Sequence, residues 1–346
     1  MPKLINLNQM APRQRRPERS ELPPWEPGGS AIRVLEILNE FRYLTPDLLG
    51  LVYAARQRQG KGESHVRHEL TRLWRYGYVE RFHRPAEWGS NQYVYALAVA
   101  GAQLVIGPKD WPDERRRVYN AAKRKVNYEH AIAVSLVHAL WELGAPSQGR
   151  VFETITTWQD KEGNERRVLN EFAAKVDGKK VTLQPDLTVL IAHHDLGFYR
   201  PYFFEIERTH KNHDRLRERL RAYGYLLSAV GEEAVGDVFE REKGINPARG
   251  LVVFVTADRP SAERLREMAI ALCKEPATSL VSVDTEMWFT SLDQLLVERT
   301  RARADGTPYL DRRGQPQRQE VPIDAEAFFT KEILTALDGK HGRLVV

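Results

Sequence analysis

Three acids on two apolar runs are the residues of this chain best placed for chemistry. Asp186 follows Pro185 and opens the run Leu187-Thr188-Val189-Leu190-Ile191, while Glu205 and Glu207 close the run Tyr202-Phe203-Phe204. Between the runs lies the turn-like stretch His193-His194-Asp195-Leu196-Gly197. Two apolar runs around a turn predict a β-hairpin. With its apex between Asp195 and Leu196, Asp186 and Glu205 are equidistant from the turn and stand directly opposite each other. Paired cross-strand residues have Cβ atoms roughly 5 Å apart. Two carboxylates at that separation can share one hard cation such as Mg²⁺ or Mn²⁺. Glu207 lies two residues beyond Glu205 and so faces the same side of the sheet.

This Pro-Asp followed by a later acid resembles the PD-(D/E)xK nuclease superfamily, whose Asp, second acid and Lys hold Mg²⁺ and activate water. The resemblance implies that Asp186 and Glu205 hold the metal and that Glu207 adds a ligand or orients water. The chain departs from the pattern at the third position, where Glu207 stands in place of Lys. Lys211 is the nearby basic residue that would steady charge on the phosphorane. The superfamily often takes one acid from its first helix, which makes Glu129 a further metal candidate. A helix-dipole role is the alternative for Glu129. Arg219 and Tyr223 have the spacing of the Gln-x-x-x-Tyr motif of exonuclease members, with Arg in place of Gln.

Positioning these acids requires a strand pair and flanking helices, and 346 residues suffice for two domains. The lone Cys273 excludes an intrachain disulfide and a Cys-based zinc cluster. No apolar run approaches the ~18 residues of a membrane span, and no apolar signal segment follows the basic start. A cytoplasmic location without membrane association is the expectation. Residues 1–125 hold 22 Lys/Arg against 13 Asp/Glu, a net of +9, whereas the remainder has a net of −4. This asymmetry points to a polyanion partner for the N-terminal part and an acidic site in the C-terminal part.

Residues 1–29 read as a disordered basic arm, broken by Pro23-Pro24, Pro27 and Gly28-Gly29. Residues 30–106 read as a winged helix-turn-helix. Ser30 is the expected N-cap of a first helix, Thr45-Pro46 starts a second, and Ser64 caps a third whose Val66, Leu70 and Leu73 face inward. Two strand-like runs, 78–82 and 92–97, follow. The third helix offers His65, Arg67, His68, Thr71, Arg72 and Arg75 on its outer face, and the ribbon adds Arg81 and Arg84. A helix fits the major groove, where Arg pairs with phosphates and guanine edges. Residues 107–126 read as a basic linker or linker helix, and 127–300 as a restriction-endonuclease-like α/β domain. Residues 301–346 read as a flexible loop and C-terminal tail. The fold class is α/β, or α+β over the whole chain.

The winged-helix order, then Tyr128-Glu129-His130-Ala131-Ile132-Ala133-Val134, Gln184-Pro185-Asp186 and Phe204-Glu205-Ile206-Glu207-Arg208-Thr209, resembles the replication-relaxation family of plasmids, phages and integrative elements. The resemblance covers roughly residues 30–295. It implies a protein of DNA replication, relaxation or processing, with double-stranded DNA as partner, and a homodimer or a replication or mobilisation protein as further partners. Three readings stay open: a DNA-binding accessory protein, an Mg/Mn-dependent endonuclease or nickase, and a transcriptional regulator with a C-terminal dimerisation domain.

Overall fold

The structure, a computed structural model, describes residues 22–57, 63–84, 92–122, 128–144, 152–153, 157–159, 165–167, 172–176, 179–193, 198–208, 213–228, 250–275, 287–300, 307–308, 315–316, 318–322, 334–336 and 341–342. The chain is mixed α/β and divides into two compact units, Met1–Leu136 with Glu298–Val321 and Val137–Val297 with Pro322–Val346.

In the first unit, α1 (Gly29–Phe41) buries Ala31, Val34, Leu35, Leu38 and Phe41, the helical stripe read from the sequence. Its N-cap is Gly28 rather than Ser30, which lies inside the first turn. In α2 (Pro46–Gln57) the expected cap forms: Thr45 Oγ1 accepts the Leu48 N–H at 3.3 Å, and Pro46 opens the helix. α3 (Glu63–Arg75) begins one residue before Ser64 and buries Val66, Leu70 and Leu73 completely. Gly77, at φ 82°, ends it, and the Tyr78 N–H returns to the Leu73 carbonyl at 2.9 Å. β1 (Val79–Arg84) and β2 (Gln92–Leu97) then pair antiparallel, Val79 against Leu97 and Arg84 against Gln92. Leu44 joins this ribbon through a two-bond bridge with Tyr95. Phe82, Val94 and Ala96 face inward onto Tyr43 and Ile132.

α4 (Val99–Val105) follows, then α5 (Trp111–Ala122), whose Val118 and Ala122 are buried. The segment expected as a linker or linker helix thus contributes a helix that packs within the first unit. α6 (Tyr128–Gly144) begins in this unit, where Ser135 Oγ donates to the Phe41 carbonyl at 2.8 Å. Gly101 of α4 sits on the backbone of Tyr78: a Cβ there would lie 2.0 Å from the Tyr78 carbonyl oxygen. Backbone cannot yield as a side-chain tip can. Gly101→Ala is therefore expected to cost about 2–3 kcal/mol and to lower the thermal midpoint of the first unit by roughly 5–10 °C. Gly28→Ala, with nothing within 4 Å of its Cβ, is the near-neutral control. Calorimetry of the two variants checks both.

The second unit is built on a seven-stranded sheet. Its strands are β3 (Phe152–Glu153), β8 (Leu187–His193), β9 (Phe198–Glu207), β10 (Leu251–Thr256), β11 (Met287–Ser291), β14 (Leu334–Ala336) and β15 (His341–Gly342), in the order β15-β14-β11-β10-β9-β8-β3. The intervening pairs β4 (Thr157–Gln159) with β5 (Glu165–Arg167) and β6 (Phe172–Val176) with β7 (Lys179–Leu183) form separate two-stranded ribbons, and a further ribbon of β12 (Leu296–Thr300) with β13 (Arg318–Pro322) falls mostly in the first unit. Residues 301–346, expected as loop and tail, thus supply β13 and two strands of the main sheet.

β9, β10 and β11 are parallel, and each connection between them carries a helix: α7 (His213–Leu226) and α8 (Arg259–Cys273). Both helices lie on one face. Leu220, Tyr223, Leu226, Leu265, Ala269 and Leu272 pack there against Phe203, Val252, Phe254 and Phe289. Glu275, just past α8, pairs with both Arg217 and Arg221 of α7 and ties the two helices together. Alternate residues of β9 turn the other way. Tyr202 and Phe204 meet the indole of Trp141 at 5.0 and 5.4 Å between ring centres.

Candidate functional site

The hairpin has the register that its symmetry predicts. Leu187 pairs with Phe204 and Val189 with Tyr202, which carries Asp186 opposite Glu205. Asp186 also bonds across the strands: its N–H donates to the Phe204 carbonyl at 3.0 Å, and its Oδ2 accepts the Ile206 N–H at 2.8 Å. One carboxylate oxygen of Asp186 therefore fixes the start of β8 to β9.

Glu205 shares its face of β9 with Phe203 and points into the layer under α7, with 1 % of its surface exposed. A carboxylate so deeply buried needs compensating partners. Two come from α7, one turn apart. Arg219 Nη1 lies 2.8 Å from Glu205 Oε1, and the Tyr223 hydroxyl donates to Glu205 Oε2 at 2.8 Å. Arg219 Nη2 also donates to the Gln184 carbonyl at 3.4 Å, so one guanidinium spans the residue before Pro185-Asp186 and the acid on β9. Glu207, also buried, lies on the same face, beside Thr256 of β10. The structure thus sets Asp186 opposite Glu205 and places Arg219 and Tyr223 on Glu205, while Glu207 stands two residues further along the same face of β9. The sequence showed Arg219 and Tyr223 only as a spacing.

Tyr223 is fully buried, and its hydroxyl is pushed well above the usual tyrosine value by burial first, then by the Glu205 charge and hydrogen bond. Arg219 opposes the shift and Asp186 adds to it. The stability this contributes is present in full below the unfolded pKa near 10 and is lost as pH rises from there toward the folded pKa. Urea unfolding of the wild type between pH 8 and 11 is expected to weaken above pH 10. Tyr223→Phe is expected to be less stable at pH 8 and to show a flatter alkaline decline. A decline as steep as that of the wild type would count against Tyr223 as its source.

Glu129 occupies the first turn of α6 and belongs to the first unit. Lys211 lies outside the described residues.

The basic residues of the first unit are more constrained than their outward spacing suggests. Arg67 pairs with Asp47 in the first turn of α2. Thr71 Oγ1 donates to the Arg67 carbonyl at 2.8 Å, a bond within its own helix. Arg72 sits under Trp25, its guanidinium 4.5 Å from the ring centre. Trp25 itself packs on Tyr76 at 4.8 Å, and the Tyr76 hydroxyl donates to the Pro23 carbonyl at 2.7 Å. His65 packs near the Tyr53 ring, while His68 and Arg75 are exposed. Arg81 rests against Trp74 and Tyr93, at 3.7 and 4.2 Å from their ring centres. Arg84 ends β1, opposite Gln92. Trp25, Trp74 and Tyr93 escaped the sequence reading, which weighed cations and not the rings that hold them.

Among the described residues, no helix is long and apolar enough to cross a membrane. The family model described as replication-relaxation matches residues 35–241, more than half of the chain. No curated protein and no solved structure matches. The chain belongs to the replication-relaxation family.

Proposed function

We propose that this member of the replication-relaxation family is a duplex-DNA-binding protein that serves the replication, relaxation or processing of a plasmid, phage or other mobile element. The first unit acts as a winged helix, with α3 in the major groove and the β1–β2 ribbon as the wing. The second unit is a restriction-endonuclease-like α/β domain. The observation that carries this reading is the order of three helices and a ribbon, with Arg67, Arg72, Arg75 and Arg81 on two adjacent elements of a unit whose sequence is strongly basic.

A second reading, an Mg/Mn-dependent endonuclease or nickase, draws on Asp186 opposite Glu205 with Glu207 on the same face. As arranged, these acids do not fit a resident divalent ion. Both oxygens of Glu205 are engaged by Arg219 and Tyr223, and Oδ2 of Asp186 is held by the Ile206 N–H. The Arg219 guanidinium, 2.8 Å from Glu205 Oε1, already supplies positive charge beside the buried acid. We therefore favour the accessory, non-cleaving reading, in which this cluster is a structural clamp.

Incubation with supercoiled plasmid in Mg²⁺ or Mn²⁺, wild type beside Asp186→Asn, decides between the two. The expected result is retarded plasmid without nicks in either protein. Nicking by the wild type that Asp186→Asn abolishes would establish the second reading instead. Absence of retardation at any protein concentration would overturn the first.

A further inference from the structure

We propose that Arg81 is the phosphate-binding residue of the ribbon and that Trp74 and Tyr93 are positioning residues that hold its guanidinium ready for a duplex backbone. This rests on the duplex-binding reading above and names the device by which the ribbon would serve it.

Three elements converge on this one side chain. Trp74 comes from the last turn of α3, Arg81 from β1 and Tyr93 from β2. Arg81 pairs across the ribbon with Tyr95, and His83 with Tyr93. By the two-residue alternation of strands, Arg81, His83, Tyr93 and Tyr95 share the face opposite the buried Phe82, Val94 and Ala96. The rings of His83 and Tyr93 lie 4.6 Å apart, and those of Tyr93 and Tyr95 6.4 Å. Trp74, Arg81, His83 and Tyr93 are all half-buried, so the cluster reaches the surface without standing out from it. Arg81 also lies opposite the buried Tyr95 across the ribbon.

The chemistry follows from the shape of a guanidinium. It is a planar fork with five N–H donors, and packing against rings uses none of them. A surface arginine loses rotamer freedom when it binds a phosphate, which offsets part of the contact. Here the Trp74 and Tyr93 rings impose that order in the folded protein. A lysine would carry the same charge but would lack the planar fork that the rings hold.

The test is fluorescence anisotropy of the full-length chain with a labelled mixed-sequence duplex, titrated over a salt series. Thermal midpoints by circular dichroism confirm that each variant is folded. Arg81→Ala is expected to weaken binding and to reduce the log–log salt slope by about one unit, the signature of one lost phosphate contact. Arg81→Lys, Tyr93→Leu and Trp74→Leu keep the charge. They are expected to leave the slope unchanged while weakening affinity about fivefold, because what they remove is order and not a counterion. A merely structural role for the two rings would move the thermal midpoint and leave affinity alone. An unchanged slope in Arg81→Ala, or wild-type affinity in both ring variants, overturns the proposal while the duplex-binding reading stands. A wild type that binds no duplex at low salt overturns that reading and this proposal with it.

Discussion

Arg219→Ala is expected to destabilise the second unit by about 2–3 kcal/mol, the largest single-residue effect at the acid cluster. The reason is what the substitution leaves behind. The Glu205 side chain is 2 % exposed, and without Arg219 it remains buried and loses the guanidinium that offsets its charge, while the Tyr223 hydroxyl stays on it. Breaking a fully buried pair costs about 3–5 kcal/mol, and the 30 % exposure of Arg219 screens part of that. Urea unfolding at pH 7 measures the loss. Two further variants separate charge from shape. Glu205→Gln in the Arg219→Ala background is expected to recover part of the stability, since it removes the uncompensated charge. Arg219→Lys is expected to lie between wild type and Arg219→Ala, because an ammonium keeps the charge but not the fork that reaches both Glu205 and the Gln184 carbonyl.

The same variants speak to the divalent ion. With the guanidinium as resident cation, millimolar Mn²⁺ is expected to leave the wild-type midpoint unchanged and to raise that of Arg219→Ala by mass action. A wild-type midpoint that climbs with Mn²⁺, and stops doing so in Asp186→Asn, would mean that the ion displaces Arg219 in the native protein.

The hairpin and its register were legible in the sequence because both rest on local rules. Strand side chains alternate with a period of two, and a symmetric turn leaves one pairing that puts Asp186 opposite Glu205. The stripes of α1 and α3 and the Thr45-Pro46 helix start were legible for the same reason. What resisted reading was the choice of partner over distance. Arg219 and Tyr223 were visible as a spacing, but only the packing of α7 on the sheet shows that both converge on Glu205. Arg67 finds Asp47 twenty residues back, and Trp25 covers Arg72 from before the first helix. A cation on an outward helical face carries no sequence mark that says whether it meets solvent, an acid or a ring. The strands of the C-terminal region were missed because Arg, Asp, Gly, Pro and Gln nearby suggested a loop, and Leu334-Thr335-Ala336 is too short to show a period.

Those partners change what mutations of α3 should do to DNA binding. Replacing Arg67, Arg72 and Arg75 together by Ala is expected to weaken duplex affinity about a hundredfold near 0.1 M salt and to flatten the log–log salt slope by two to three units, at about 0.9 per lost phosphate contact. The three arginines should not contribute equally. Arg75 is exposed, so its contact needs no prior rearrangement. Arg67 must exchange Asp47 for a phosphate, and Arg72 must leave the Trp25 ring or reach past it. The single variants are therefore expected to rank with Arg75→Ala the most harmful. The ion pair also allows a test in the opposite direction. Asp47→Asn removes the acid that competes for Arg67 and keeps the side chain's size and its place in the first turn of α2. It is expected to tighten duplex binding several-fold and to steepen the salt slope by up to one unit, because one more cation meets the backbone. If Asp47→Asn binds no better than wild type while the triple variant loses its slope, Arg67 stays with Asp47 in the complex and the helix works through Arg72 and Arg75. If the triple variant keeps wild-type affinity and slope, α3 does not lie in the groove, and the duplex must meet the first unit through another face.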